Sequence, residues 1–283
     1  MKINLAILAF LSSLCYSCIS EKKLPKKEIN ILFIGNSLTY YNEMPQILQK
    51  ILETQNLNYK ISQSTYPGIS LTQHLNRKAV VIDKETKLTP LSINDTSTTV
   101  KLLKLKQWDF IVLQDGTVRL LIPEVKNLMV IAAINSFKEN TKYGKPDFVL
   151  FKTWPNLDTF PKQHCYPSAI IDKSITKDMC CSPLMASKEE EAKLINIAYD
   201  TVAIATHVST VPITDCFMEI IKLYPNINLY QDKSHPSKFG AYLNACMFFK
   251  YFTKQKARSI KYTAGIDEKI AHTIQDVVDK YYP

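Results

Sequence analysis

Two short segments at opposite ends of the chain carry residue types that together can cleave an acyl bond. Near the N-terminus, Gly35-Asn36-Ser37-Leu38-Thr39 follows an apolar run, so Ser37 stands where a strand gives way to a helix. Near the C-terminus, Asp232-Lys233-Ser234-His235-Pro236-Ser237 places an aspartate three residues before a histidine, directly ahead of the helical stretch Lys238 to Phe252. A serine hydroxyl is a weak nucleophile until a neighbouring base takes its proton. An imidazole is such a base, and a carboxylate fixes its tautomer and stabilises the charge it acquires. Only six of the 283 residues are glycine, and three of them, Gly35, Gly68 and Gly116, lie in the segments that follow successive apolar runs. Backbone can approach a ligand closely where no side chain intervenes.

The elements that must position these residues follow from periodicity. Asn30 to Ile34 is a short apolar run of the kind buried on both faces of a parallel sheet, and Pro45 to Leu52 has apolar residues at helical spacing with proline in the first turn. Further short apolar runs at Tyr59–Ser62, Phe110–Leu113, Phe148–Phe151 and Thr210–Ile213 alternate with helical patterns at Val125–Phe137 and Ala192–Ala205. Such alternation predicts right-handed crossovers and a parallel sheet covered on both sides, in which ligands collect beyond the carboxyl ends of the strands. Ser187-Lys188-Glu189-Glu190 has the form of a capping box and predicts a helix start. Lys78 to Thr99 holds at most a small hairpin. Asn156 to Ala186, with three cysteines and several prolines, reads as a long irregular excursion inside one domain spanning residues 30–283.

Here the motifs resemble a known family. Ile31 to Pro45, ILFIGNSLTYYNEMP, resembles the first block of the SGNH (GDSL-like) hydrolases in a variant with GNSLT, and Asp232 to Ser237 is similar to the family's D-x-x-H-P block. Trp108 to Gln114, ending V-L-Q, resembles a third block, Ala198-Tyr199 matches a later Ala-Tyr pair, and Leu229-Tyr230 leads into the final block. The resemblance spans Asn30 to about Thr253. It implies a three-layer α/β/α sandwich with a parallel sheet of about five strands in flavodoxin-like order. It also implies Ser37 as nucleophile, His235 as general base and Asp232 as its partner, with the amides of Ser37 and Gly68 in an oxyanion hole. The family's third donor is an asparagine in Gly-x-Asn-Asp, but this chain departs from that pattern and reads Gln114-Asp115-Gly116-Thr117; Gln114, whose longer side chain carries the same amide, is the candidate for that place, with a glutamine that hydrogen-bonds between loops as the alternative. Trp154, just after a strand, either offers an aromatic face to a sugar ring or packs in the core. The activity implied is ester hydrolysis through an acyl-enzyme, foremost O-deacetylation of a carbohydrate and without a cofactor. The alternatives are a lipase or thioesterase with the same triad, or a silent carbohydrate-binding lipoprotein.

Composition and the chain ends set the context. The hydrophobic share of 46% and charged share of 22% are those of a globular protein. The net charge of +9 is spread along the chain without the aromatic interleaving of a nucleic-acid surface. Residues 1–17 read as a signal peptide, too short to span a bilayer. Ser17-Cys18 resembles the lipobox of bacterial lipoproteins, which predicts lipidation of Cys18, a tether over residues 18–29 and a place in the bacterial cell envelope, with plain secretion as the alternative. Five cysteines remain, Cys165, Cys180, Cys181, Cys216 and Cys246. Their spacing matches no metal site. In an oxidising compartment Cys165 is expected to pair with Cys180 or Cys181, and Cys246 to lie in the core.

Overall fold

In the computed structural model of the chain, residues 27–76, 80–82, 88–90, 98–141 and 143–281 are described. The expected leader and Cys18 lie outside the described residues. Among the described residues nine strands occur in the order β1 (Ile29–Gly35), β2 (Tyr59–Thr65), β3 (Val80–Ile82), β4 (Leu88–Pro90), β5 (Phe110–Leu113), β6 (Asp147–Phe151), β7 (Cys165–Pro167), β8 (Met179–Cys181) and β9 (Ser209–Val211). Five form one parallel sheet, ordered β2-β1-β5-β6-β9, which is the flavodoxin-like arrangement. β3 and β4 make a small antiparallel hairpin, and so do β7 and β8 within the 156–186 excursion.

The helices used below are α1 (Ser37–Tyr40), α2 (Met44–Thr54), α3 (Leu71–Asn76), α4 (Thr98–Leu103), α5 (Thr117–Leu121), α6 (Pro123–Val125), α7 (Ile131–Asn140), α8 (Lys188–Thr206), α9 (Ile213–Leu223), α10 (Lys238–Thr253) and α11 (Glu268–Tyr281). They cover both faces of the sheet because the strands are apolar on both. In β1, Ile31 and Phe33 pack with α2, α9, α10 and α11, whereas Leu32 and Ile34 pack with the layer that includes α7 and α8. The result is a three-layer α/β/α sandwich. Local signals agree with it: Pro45 sits in the first turn of α2, and the Ser187 side chain caps α8 by accepting from Glu190 N at 3.2 Å. α10 is buried on almost every side, from Gly240 to Phe252. It lies so close to the chain entering the Asp232 loop that a Cβ on Gly240 would stand 2.5 Å from the Leu229 carbonyl oxygen. Among the described residues no helix is long and apolar enough to cross a membrane.

Candidate active site

The turn after β1 is built from buried hydrogen bonds. Asn36 caps α1, its Oδ1 accepting from Leu38 N at 3.1 Å and its Nδ2 donating to the Ile69 carbonyl at 3.2 Å, which ties this turn to the Gly68 loop. From the neighbouring strand exit, Gln114 Oε1 accepts from Asn36 N and from Thr39 Oγ1, both at 2.9 Å. His74 bonds the Gly35 carbonyl through Nε2 and Thr99 Oγ1 through Nδ1, each at 2.9 Å. Burial holds the His74 ring down at a pKa of about 4, against the upward pull of the Gly35 carbonyl, so it is neutral. Gly35 has no room for a side chain: a Cβ would lie 2.5 Å from Thr39 Oγ1 and 2.7 Å from Gln114 Oε1.

The Asp232–His235 loop lies at the rim instead. Asp232 Oδ1 accepts from the backbone amides of Ser234 and His235 at 2.9 and 2.8 Å, closing the loop on itself. Tyr230 OH donates to the Pro155 carbonyl at 2.7 Å, Trp154 Nε1 to the Ser234 carbonyl at 3.0 Å and Leu157 N to the Lys233 carbonyl at 2.7 Å. The segment after β6 thus supports this loop from one side.

These two segments meet. His235 Nε2 lies 2.8 Å from Ser37 Oγ, and His235 Nδ1 lies 2.7 Å from Asp232 Oδ2. A carboxylate can only accept, so Nδ1 carries the proton and the Nε2 lone pair faces the serine hydroxyl. Partial burial pushes the Asp232 carboxyl up, but the amides of His235 and Ser234 and the imidazole outweigh it and hold its pKa down at about 2. The carboxylate is therefore charged across the physiological range. Ser37 N–H begins α1 and has no intrahelical acceptor, and neither it nor Gly68 N–H finds an acceptor among the described residues. Gly68 adopts φ 62° with no atom within 4 Å of where a Cβ would be, so backbone conformation and not space favours glycine there.

Ser37, Gly68 and His235 open onto one cleft of about 240 Å³, shared with Asn156, Tyr166 and Arg119. Two sequence expectations are corrected here. Gln114 does not reach the cleft: it is 1% exposed, its Oε1 orientation is fixed by the Asn36 N–H, and its Nε2 donates to the Asp115 carbonyl at 2.6 Å. It is a strut beneath the serine turn. Trp154 presents no face to a sugar: its ring is 1% exposed and stacks on Phe217 at 4.2 Å with an interplanar angle of 4°.

Sequence reasoning missed four cleft residues. Asn156 carries a side-chain amide with no partner among the described residues, but it stands at the head of the aperiodic excursion, where no pattern marks it. Tyr166 reaches the cleft because the β7–β8 hairpin folds back, with Cys165 opposite Cys181 and those two joined as a disulfide. Of the two pairings left open by the sequence, this register selects Cys181; Cys180 points to the other face and is buried, as are Cys216 and Cys246. Asp115, 2% exposed, accepts from Gly116 N at 2.7 Å and holds Arg119 Nε at 3.1 Å. Their i, i+4 spacing at a helix start was a usable signal. Burial raises the Asp115 carboxyl above its ordinary value, with Arg119 and the amides of Gly116 and Leu71 pulling the other way. Among the described residues no group of three or more His, Cys, Asp or Glu is arranged to hold a metal ion.

No protein-family model and no curated protein matches the sequence. Solved structures do. A DUF4886 family protein from Bacteroides uniformis is similar with a TM-score of 0.68 at 18% identity, covering 90% of this chain and 94% of that one. A protein described as a candidate SGNH hydrolase from Slackia heliotrinireducens has a TM-score of 0.55 at 19% identity, covering 80% and 100%. One described as a candidate GDSL-like lipase from Parabacteroides merdae has a TM-score of 0.51 at 17% identity, covering 81% and 97%. The chain has the fold of the SGNH hydrolases.

Proposed function

We propose that this protein is a serine esterase that works through an acyl-enzyme, and the observation that carries the reading is the Ser37–His235–Asp232 chain of 2.8 and 2.7 Å contacts. His235 Nε2 takes the Ser37 proton as Oγ attacks the ester carbonyl, then returns it to the departing alkoxide. Asp232 holds the imidazole in the required tautomer and stabilises the imidazolium. A water activated by the same histidine then frees the acid. The Ser37 and Gly68 amides face the developing oxyanion, and the Asn156 amide takes the place for which Gln114 was the candidate. O-deacetylation of a carbohydrate is the foremost activity of this site, with a lipase or thioesterase that uses the same residues as the alternative.

We also infer export to the bacterial envelope with Cys18 lipidated; the Cys165–Cys181 disulfide supports an oxidising compartment. The purified mature domain is expected to turn over p-nitrophenyl acetate and to take one fluorophosphonate label, on Ser37. A folded protein that neither hydrolyses the ester nor accepts the label overturns the reading. Acetate release from a panel of acetylated glycans then identifies the alcohol. For the anchor, Cys18→Ala is expected to move the protein from the membrane fraction to the soluble fraction, since the buried acyl chains are lost.

A further inference from the structure

The chain does not relax after it has delivered Ser37. One helical turn later, Tyr41-Asn42-Glu43 forms a tight 3₁₀ turn in which Asn42 and Glu43 both take left-handed backbone conformations, φ 51° and 57°. Two consecutive non-glycine residues in that region are unfavourable, because each Cβ crowds the backbone. What this conformation makes possible is visible at the other half of the triad. Asn42 Nδ2 donates to the Pro236 carbonyl at 2.7 Å and to Gln231 Oε1 at 2.8 Å, so one amide grips both ends of the segment carrying Asp232 and His235. The Tyr41 ring lies flat on the His235 imidazole, with centroids 4.0 Å apart and planes inclined by 14°.

That grip has work to do. The Asp232 and His235 side chains are 47% and 25% exposed, so the base sits on a rim loop that the core does not enclose. The segment after β6 holds the backbone of this loop at Lys233 and Ser234, but those bonds leave the imidazole free to swing about its own χ angles.

Resting on the esterase reading above, we propose that Tyr41 and Asn42 are positioning residues of the catalytic base. Asn42 fixes the ends of the Asp232–His235 loop against the nucleophile's own turn. Tyr41 braces the imidazole in the plane that points Nε2 at Ser37. When the Ser37 proton moves to Nε2, the ring becomes a cation against the face of Tyr41, a contact that is stronger in the charged form and so favours the transition state over the ground state. The nucleophile and the base are thereby held to each other directly, by residues four and five positions after Ser37.

Three variants test this. Tyr41→Ala is expected to lower kcat for p-nitrophenyl acetate by about tenfold or more at unchanged KM, and Tyr41→Phe, which keeps the ring, to restore most of the rate. Asn42→Gly relieves the left-handed backbone and removes the amide, so the variant is expected to melt no lower than the parent while its kcat and fluorophosphonate labelling rate fall together by about tenfold. A residue serving only the turn would show the reverse, with stability gained and kcat kept. The downfield proton resonance of His235 Nδ1–H, read by NMR, is expected to stay sharp in the parent and Tyr41→Phe and to broaden in Tyr41→Ala. Parent-like kcat and an unchanged resonance in both Tyr41→Ala and Asn42→Gly overturn the proposal. A parent that has no esterase activity but whose resonance still broadens in Tyr41→Ala overturns the esterase reading and leaves the bracing of His235 standing.

Discussion

The two halves of the proposed triad are held by opposite means. Ser37 rests on a buried lattice in which Asn36, Gln114, His74 and Thr39 exchange hydrogen bonds from three strand exits, and none of these four is more than 6% exposed. Asp232 and His235 rest on a rim loop held mostly by backbone carbonyl contacts. The comparison separates stability from chemistry: damage to the buried half is expected to appear in folding, and damage to the rim half in rate. The largest expected effects fall on the proposed reacting groups themselves. Ser37→Ala is expected to lower kcat by about a millionfold and Asp232→Asn by about ten-thousandfold, with melting temperatures near the parent's, because neither change opens a core cavity. Comparable turnover by Ser37→Ala and the parent would remove the nucleophile from the mechanism.

The buried half has its own signature in pH. His74 has a pKa near 4 in the folded chain against 6.5 for an exposed histidine, so the unfolded chain binds more protons between those values. Its contribution to stability is therefore complete above about pH 6.5 and declines as pH falls towards 4, by about 3 kcal/mol in total. His74→Gln, which can still donate to Gly35 and accept from Thr99, is expected to flatten that part of the stability profile in denaturant titrations at pH 7 and 4.5. An equally steep decline in the variant would place the effect elsewhere.

Gln114 sharpens the comparison further because it lies between the two halves in sequence logic yet wholly in the buried one by geometry. Gln114→Ala leaves the Asn36 N–H and Thr39 hydroxyl without their acceptor, so a loss of about 1–3 kcal/mol is expected. In the folded fraction kcat should stay within a few fold of the parent. A hundredfold loss of kcat at parent stability would restore Gln114 to the oxyanion hole.

How far each part was legible in the sequence follows from the same division. The parallel sheet, and the two segments that meet at Ser37 and His235, could be read because apolar runs and short local motifs keep their meaning wherever they fold; the expected first strand, Asn30–Ile34, lies inside the observed Ile29–Gly35. Gln114 was misread because a strand exit fixes the position of a residue and not the direction of its amide, and here two donors from the serine turn claimed its oxygen. Asn156 and Tyr166 come from the aperiodic excursion. Only the antiparallel register of its hairpin, with Cys165 facing Cys181, brings Tyr166 to the cleft.

Trp154 offers the smallest and most discriminating test, since it touches both regions. Its ring belongs to the core, stacked on Phe217, while its Nε1 supports the Ser234 carbonyl one residue before His235. Trp154→Phe keeps an aromatic stack and deletes that hydrogen bond, so the expected cost is about 0.5–1.5 kcal/mol in stability. Because the rim loop retains the Asn42 and Leu157 contacts, kcat is expected to fall by no more than about threefold. The KM values for p-nitrophenyl acetate and for an acetylated glycan should be equally unaffected, since a buried ring contacts neither. A rise in KM confined to the glycan would show that Trp154 meets the sugar after all, and that the core opens at this point when substrate binds.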